Sequence, residues 1–251
     1  MRKRMIALLL LLVIALAACA PKTGTTDTEA ATEASIPAKP TEAPTEAPTE
    51  APTEAPTEAP TEAPTETQQQ YPADVDLGSL DGSAYKNETI GVTGTFPSGW
   101  YIYSENEIAA LNNMVVQAFD SAGISTAIEN GGSVIFFCAA QTASMSSVNI
   151  AASKMMLPGL DEATIVTLSA AQVKSQLEQT GMMQNIVSET VELEFCGQKH
   201  PAISVTCETS GIQLYETVLC LPRGDLLYTI TISTTQESKS AEILNLFESL
   251  G

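Results

Sequence analysis

The chain has 251 residues, a net charge of −19 at neutral pH and 44% hydrophobic side chains. An acid excess of this size excludes a surface built to hold nucleic acid or anionic lipid headgroups, both of which need a basic face. It is compatible with a cationic partner, or with plain solubility beside an anionic cell surface. Five cysteines and one histidine, His200, with no Cys-x-x-Cys pair, lack the spacing of a structural zinc site. Neither a metal nor a cofactor is expected.

The chain begins with Arg2-Lys3-Arg4, runs apolar from Met5 to Ala18 and then reaches Cys19. A basic head on an apolar core too short to span a bilayer comfortably reads as a secretory signal. The end of that core, Leu16-Ala17-Ala18-Cys19, resembles the lipobox of bacterial lipoproteins. The resemblance implies diacylglycerol on the Cys19 sulfur and cleavage before it. The mature chain would then be tethered to the extracytoplasmic face of the cell membrane by palmitate-type chains. Each buried methylene adds ~0.8 kcal/mol, so two acyl chains make a long-lived anchor where one is marginal.

Residues 20–71 form the second segment. From Pro40 to Thr67 they repeat Pro-Thr-Glu-Ala with period four, and residues 20–70 carry two lysines against ten carboxylates. Regular proline, like charges and few apolar side chains leave nothing to pack. The repeat reads as a disordered stalk reaching on the order of 80 to 90 Å when extended at ~3.1 Å per residue. Its threonines are candidate sugar acceptors.

Residues 72–251 suit one domain with a sizeable core. Asp74, Asp76 and Asp81, with Gly78 and Gly82, faintly resemble a calcium loop but lack the terminal bidentate glutamate, and a flexible lead-in is expected there. Ile90 to Phe96 reads as a strand, Pro97-Ser98-Gly99 as a turn, and Trp100 to Tyr103 as extended chain. Ser104, with Glu107 three residues on, forms a capping box that opens a helix. Ile108, Leu111, Val115, Phe119 and Ala122 follow at helical spacing, and Gly123 is expected to stop it. Strands follow at 133–140 and 147–153. Between 155 and 168 the pattern is ambiguous, with a short strand over 164–168. Ser169 is expected to cap a second helix carrying Val173 and Leu177, closed by Gly181. A last helix is expected over 237–249, with Ile243, Leu244, Phe247 and Leu250 on one side.

Four strands are expected between these two helices: Ile186 to Phe195, Pro201 to Cys207, Ile212 to Cys220, and Leu226 to Ser233. The loops are Gly197-Gln198-Lys199, Glu208 to Gly211, and Pro222-Arg223-Gly224. As a meander, apolar alternation pairs Leu193 with Ile203, Val191 with Val205, Val205 with Leu214, Leu214 with Ile232, and Val218 with Tyr228. The apolar residues then share one face. Glu192, Ser204, Tyr215, Thr217 and Thr229 share the other.

The order of elements is an α+β arrangement on mainly antiparallel sheet with about three helices. The stretch Asn87-Glu88-Thr89-Ile90-Gly91-Val92 followed by Phe96-Pro97-Ser98-Gly99-Trp100 resembles the start of a PsbP-like domain. The globular part is also similar to small extracytoplasmic lipoproteins of Gram-positive gut anaerobes. The resemblance implies an α/β/α sandwich and brings no activity with it.

Gly-x-Ser-x-Gly, Walker, dinucleotide and His-Glu-x-x-His motifs are all absent. The alternation places Glu216 on the apolar face, where a carboxylate costs several kcal/mol unless paired or protonated. Glu216, Tyr215, Thr217 and Thr229, with Tyr101 from the aromatic cluster Trp100, Tyr101 and Tyr103, are the candidate ligand-binding residues. Cys138, Cys196, Cys207 and Cys220 sit in apolar strand contexts and are expected to be buried free thiols. The expected function is a non-catalytic binding or interaction domain anchored in the membrane, whose partner is a small ligand or a cell-envelope protein. Two alternatives are an accessory subunit of an envelope complex and a hydrolase that uses Glu216 with His200.

Overall fold

The structure, a computed structural model, describes residues 75–250 except Met156. The signal, Cys19, the repeat segment and Asp74 lie outside the described residues. The fold is α+β, with every strand pairing antiparallel.

The elements are β1 (Ser79–Asp81), β2 (Ala84–Asn87), β3 (Val92–Thr95), β4 (Tyr101–Ile102), α1 (Glu105–Leu111), α2 (Ser121–Glu129), β5 (Ser133–Gln141) and β6 (Ser146–Lys154). They continue with α3 (Glu162–Thr180), β7 (Gln184–Phe195), β8 (Gln198–Thr209), β9 (Ile212–Arg223), β10 (Leu226–Thr234), α4 (Lys239–Leu244) and β11 (Phe247–Ser249). A seven-stranded sheet runs β4-β5-β6-β10-β9-β8-β7, and a four-stranded sheet runs β1-β2-β3-β11.

Helices pack on both faces of the large sheet. On one face the small sheet, α2 and α4 close a core around Phe96, Phe137, Ile150, Leu219, Tyr228, Ile230 and Phe247. On the other, α3 lays Ile165, Val166, Val173 and Leu177 over Ile203, Val205, Leu214 and Val218. Ile108 of α1 covers Ile135, Cys138 and Ala151 on that same side.

This double covering overturns the expected strand register. Leu193 faces His200 rather than Ile203, and Val191 faces Ala202. Val205 faces Glu216, and Cys207 takes Leu214. Ile232 faces Thr217, and Tyr228 faces Leu221. With apolar residues wanted on both faces, alternation stops specifying the pairing, and the turns decide it. Each hairpin loop is two residues long rather than three or four. Cys196-Gly197 has φ of 51° and 75°, and Ser210-Gly211 has 51° and 76°. Two consecutive positive φ angles match the twist of a type I′ turn, which locks Phe195 to Gln198 and Thr209 to Ile212.

The expected helix from Ser104 to Gly123 is two helices. The capping box is present: the Glu107 carboxylate accepts from the Ser104 N–H at 2.9 Å and its hydroxyl at 2.7 Å. α1 then ends at Asn112, and Asn113 takes φ of 54°. Asn112 serves as a strand mimic. Its Nδ2 donates to the Ile135 carbonyl at 2.7 Å and its Oδ1 accepts from the Ile135 N–H at 2.9 Å, beside a bulge in β5. Gly123 starts a helix instead of ending one. Its N–H donates to the Asp120 cap at 2.8 Å, and a Cβ there would lie 2.0 Å from the Ala118 carbonyl oxygen.

Three other expectations are corrected. The β-branched run at 164–167 is helical, because Asp161 caps the Thr164 N–H at 2.8 Å and burial of Ile165 and Val166 outweighs propensity; Ser169 lies mid-helix. Gly181 closes α3 as expected, with φ of 65°. The last helix stops at Leu244, and Phe247 enters β11, pairing with Gly94 of β3. Glycine is needed there, since a Cβ on Gly94 would sit 2.9 Å from the Phe247 ring. The lead-in also forms strands β1 and β2. Asp76 is a structural cap that accepts from the N–H groups of Gly78 at 2.8 Å and Thr89 at 3.0 Å. Partial burial raises its pKa, but these bonds outweigh that and hold its carboxyl below the usual range.

Candidate functional site

The register decides which of the candidate residues meet. On β8 and β9, Ser204 faces Thr217 and Thr206 faces Tyr215. Across to β7, Ser204 faces Glu189 and Thr206 faces Val187. These six side chains leave the same face of the sheet. At one end of that face Ala202, Leu219 and Leu221 are sealed under the large core. At the other end Ser204, Thr206, Tyr215 and Thr217 are half-buried, while Val187 and Glu189 are exposed. Tyr215 and Thr217 therefore belong to an open, polar stretch of sheet. The sequence reading missed Thr206 and Val187, although the alternation Ser204-x-Thr206 carried the signal.

Glu216 and Thr229 stand on the opposite face. Glu216 lies in a cross-strand row with Val205, Ser233 and Ser147. The next row holds Val218, Thr231, Asn149 and Cys138. Thr229 shares this side, between Cys220 and Ala151, so its expected grouping with Tyr215 and Thr217 fails. Odd-numbered β10 residues pair with even-numbered β9 residues in the true register.

Glu216 is 1% exposed, and neither carboxylate oxygen has a hydrogen-bond partner among the described residues. Burial pushes its carboxyl well above the ordinary carboxylate range. Asn149 Oδ1 in the adjoining row is likewise buried without a partner. Cys207, on the same face, has its thiol pushed up to about 11 by burial first and by the Glu216 charge second.

His200 does not meet Glu216. Its Nδ1 lies 2.8 Å from Glu162 Oε2 in the first turn of α3, and its ring stands edge-on to Phe195 at 6.0 Å. Val205, the partner of Glu216, is five residues further along β8, roughly 16 Å away at ~3.3 Å per residue and on the opposite pleat. The acid and imidazole expected of a hydrolase are thus separated, and His200 with Glu162 ties a helix start to a strand entrance.

Tyr101 is 54% exposed on β4, and its hydroxyl donates to the Glu107 carboxylate at 2.7 Å. It packs edge-on to Tyr103 at 5.2 Å. Four strand spacings, about 19 Å, separate β4 from β9. Through Ala140, Ser147 and Ser233 it shares the Glu216 face, so it stands apart from Tyr215 and Thr217. Trp100 packs against Phe96 at 5.4 Å.

All four cysteines of the described part are free; Cys138, Cys207 and Cys220 are buried and Cys196 is half-buried. Among the described residues no group of three or more His, Cys, Asp or Glu side chains could hold a metal ion. Among them, too, no helix is long and apolar enough to cross a membrane.

No protein-family model matches the sequence, and no curated protein does. Among solved structures, the fold is similar to the cyanobacterial PsbP protein CyanoP of a Synechocystis species. The two share 12% identity over 69% of this chain and 98% of that one, with a TM-score of 0.41. It is also similar to LpqN of Mycobacterium tuberculosis, described as involved in cell envelope biogenesis. That match has 8% identity over 62% of this chain and 76% of that one, with a TM-score of 0.33. A protein from Bacteroides thetaiotaomicron matches at 11% identity over 68% of this chain, with a TM-score of 0.34, and the chain spans 49% of its length. Likeness at this level carries neither activity nor partner.

Proposed function

We propose that this chain is a lipid-anchored extracytoplasmic protein whose folded part is a non-catalytic binding or interaction domain, with the open sheet face as its contact surface. The observation that carries the binding reading is the grouping of Tyr215, Thr217, Ser204, Thr206 and Glu189 on sheet that is only partly covered at one end of an otherwise sealed core. Hydroxyls fixed on a rigid sheet offer ready-oriented hydrogen-bond partners, and Tyr215 adds an amphipathic ring that binds at low entropic cost. The anchor reading is supported by Leu16-Ala17-Ala18-Cys19 behind a basic, apolar leader.

Two measurements test the two halves. Labelled palmitate should enter the wild-type chain, and Cys19→Ser should abolish labelling and release the protein from the membrane fraction. A photo-crosslinking side chain at Thr217 should capture a discrete envelope component in cells, whereas the same group at Thr235 should not. Identical adducts at both positions, or none at Thr217, would refute the contact surface.

A further inference from the structure

The large sheet ends at β7 on an edge that the described chain does not close. β7 pairs with β8 alone, so the N–H and C=O groups along its outer side have no strand to bond. Proteins usually blunt such an edge with charged side chains, lysine above all, with proline or with a bulge, and acidic charges such as those here blunt it only against strands that do not carry the opposite charge. Here the irregularity is confined to one end, between Gln184 and Val187, where Asn185 takes φ of 53°. From Val187 to Phe195 the ladder is regular and contains neither proline nor a basic residue. The strand is also held firmly from both faces. Ser188 Oγ donates to the Ala170 carbonyl of α3 at 2.9 Å, and Val191 and Leu193 pack on the large core.

Pleating sorts the side chains of this edge. Val187, Glu189, Val191 and Leu193 lie on the side of the open face; Ser188, Thr190, Glu192 and Glu194 lie on the other. Glu189, Glu192 and Glu194 are all exposed, and Glu192 is bridged by Lys199 at 2.6 Å. We propose that this edge receives an extended segment of a partner protein as an eighth strand, and that the segment alternates basic and apolar residues. Its apolar side chains would continue the row of Val191 and Leu193, and its basic ones would face Glu192 and Glu194. Main-chain bonds supply the docking and the alternating side chains the choice of partner.

Charge excludes the other occupants. A second copy brings its own three glutamates to the seam, and like charges directly opposite are destabilising. The chain's residues 20–70, with ten carboxylates against two lysines, are repelled too. The proposal rests on the reading of the domain as a binding module, and it concerns the strand edge rather than the hydroxyl-bearing face.

The test uses the full-length protein in detergent and an eight-residue peptide of alternating lysine and valine, with the glutamate–valine peptide as control. Binding is followed by fluorescence anisotropy, and hydrogen exchange locates it. The lysine peptide should bind, slow exchange within Val187–Phe195 and lose affinity as salt rises. Glu192→Lys with Glu194→Lys should weaken it about tenfold, since each exposed pair is weak alone but two are lost and reversed in sign together. The milder Glu192→Gln with Glu194→Gln should weaken it less, and serves if the double lysine variant fails to fold. Equal binding of both peptides, protection elsewhere or no binding would overturn the proposal. So would protection of β7 that grows with protein concentration in the absence of peptide, because that marks a second copy. If Thr217 crosslinking fails while the lysine peptide still protects β7, the face is wrong and the edge stands.

Discussion

Replacing Glu216 by glutamine tests whether a carboxyl is buried without compensation. In the folded chain its carboxyl titrates well above the ordinary carboxylate range, because burial disfavours the ion and no partner among the described residues offsets that. Unfolded, it titrates near the usual glutamate value of about 4.3. Between these two values the folded state keeps a proton that the unfolded state has released. Stability supplied by this group is therefore complete below about pH 4.3 and is lost as pH rises toward the folded-state value. For one proton the limiting slope is about 1.4 kcal/mol per pH unit. Glu216→Gln keeps the shape and removes the titration, and every other group cancels in the difference between the two proteins. Urea unfolding followed through Trp100, the one tryptophan, supplies the measurement at half-unit steps from pH 4 to pH 8. The two proteins should agree within about 1 kcal/mol at pH 4, the central size of a point-mutation effect, since Glu216 is fully buried. The variant should then gain on wild type with the slope above. Parallel curves across the range would show that Glu216 is solvated or paired, and the reasoning would fail.

Asn112→Ala should cost about 2 kcal/mol in the same urea assay, since it strips the Ile135 N–H and carbonyl of their partners; wild-type stability would show that water replaces the amide. Phe247→Ala should cost about 3 to 5 kcal/mol by opening a cavity beside Phe96 and Phe195, and hydrogen exchange in β3 should rise with it. Unchanged β3 exchange would mean that β11 does not pin the small sheet. At pH 8 an aromatic disulfide reagent should modify half-buried Cys196 first and leave Cys138 and Cys220 untouched, because burial pushes both of those thiols up to about 12. Rapid reaction of either buried cysteine would contradict the packing of β5 or β9.

Local chemistry made parts of the fold readable without coordinates. The Ser104–Glu107 capping box, the Gly181 helix end and the presence of four strands between α3 and α4 all follow from bonds or patterns spanning a few residues. Gly123 misled because its role is tertiary, sitting where Ala118 leaves no room for a Cβ, and the helix expected through residue 112 ends there because the Asn112 side chain clamps a strand bulge. Phe247 read as helix because its spacing from Ile243 and Leu244 fits one, while its burial comes from pairing with β3.

The sequence by itself determined the acidic character, the basic-apolar-cysteine pattern of the first nineteen residues, the repeat segment and an α+β domain on antiparallel sheet. It also placed Glu216 on an apolar strand face, where the carboxylate is buried. Only the tertiary structure decided the register, and with it the company each candidate keeps: Tyr215 and Thr217 together on open sheet, Glu216 and Thr229 on the sealed face, Tyr101 near the far edge, His200 with Glu162. The physical reason is that a sheet buried on both sides wants apolar residues at both parities. Alternation then no longer chooses a register, and two-residue turns with positive φ do.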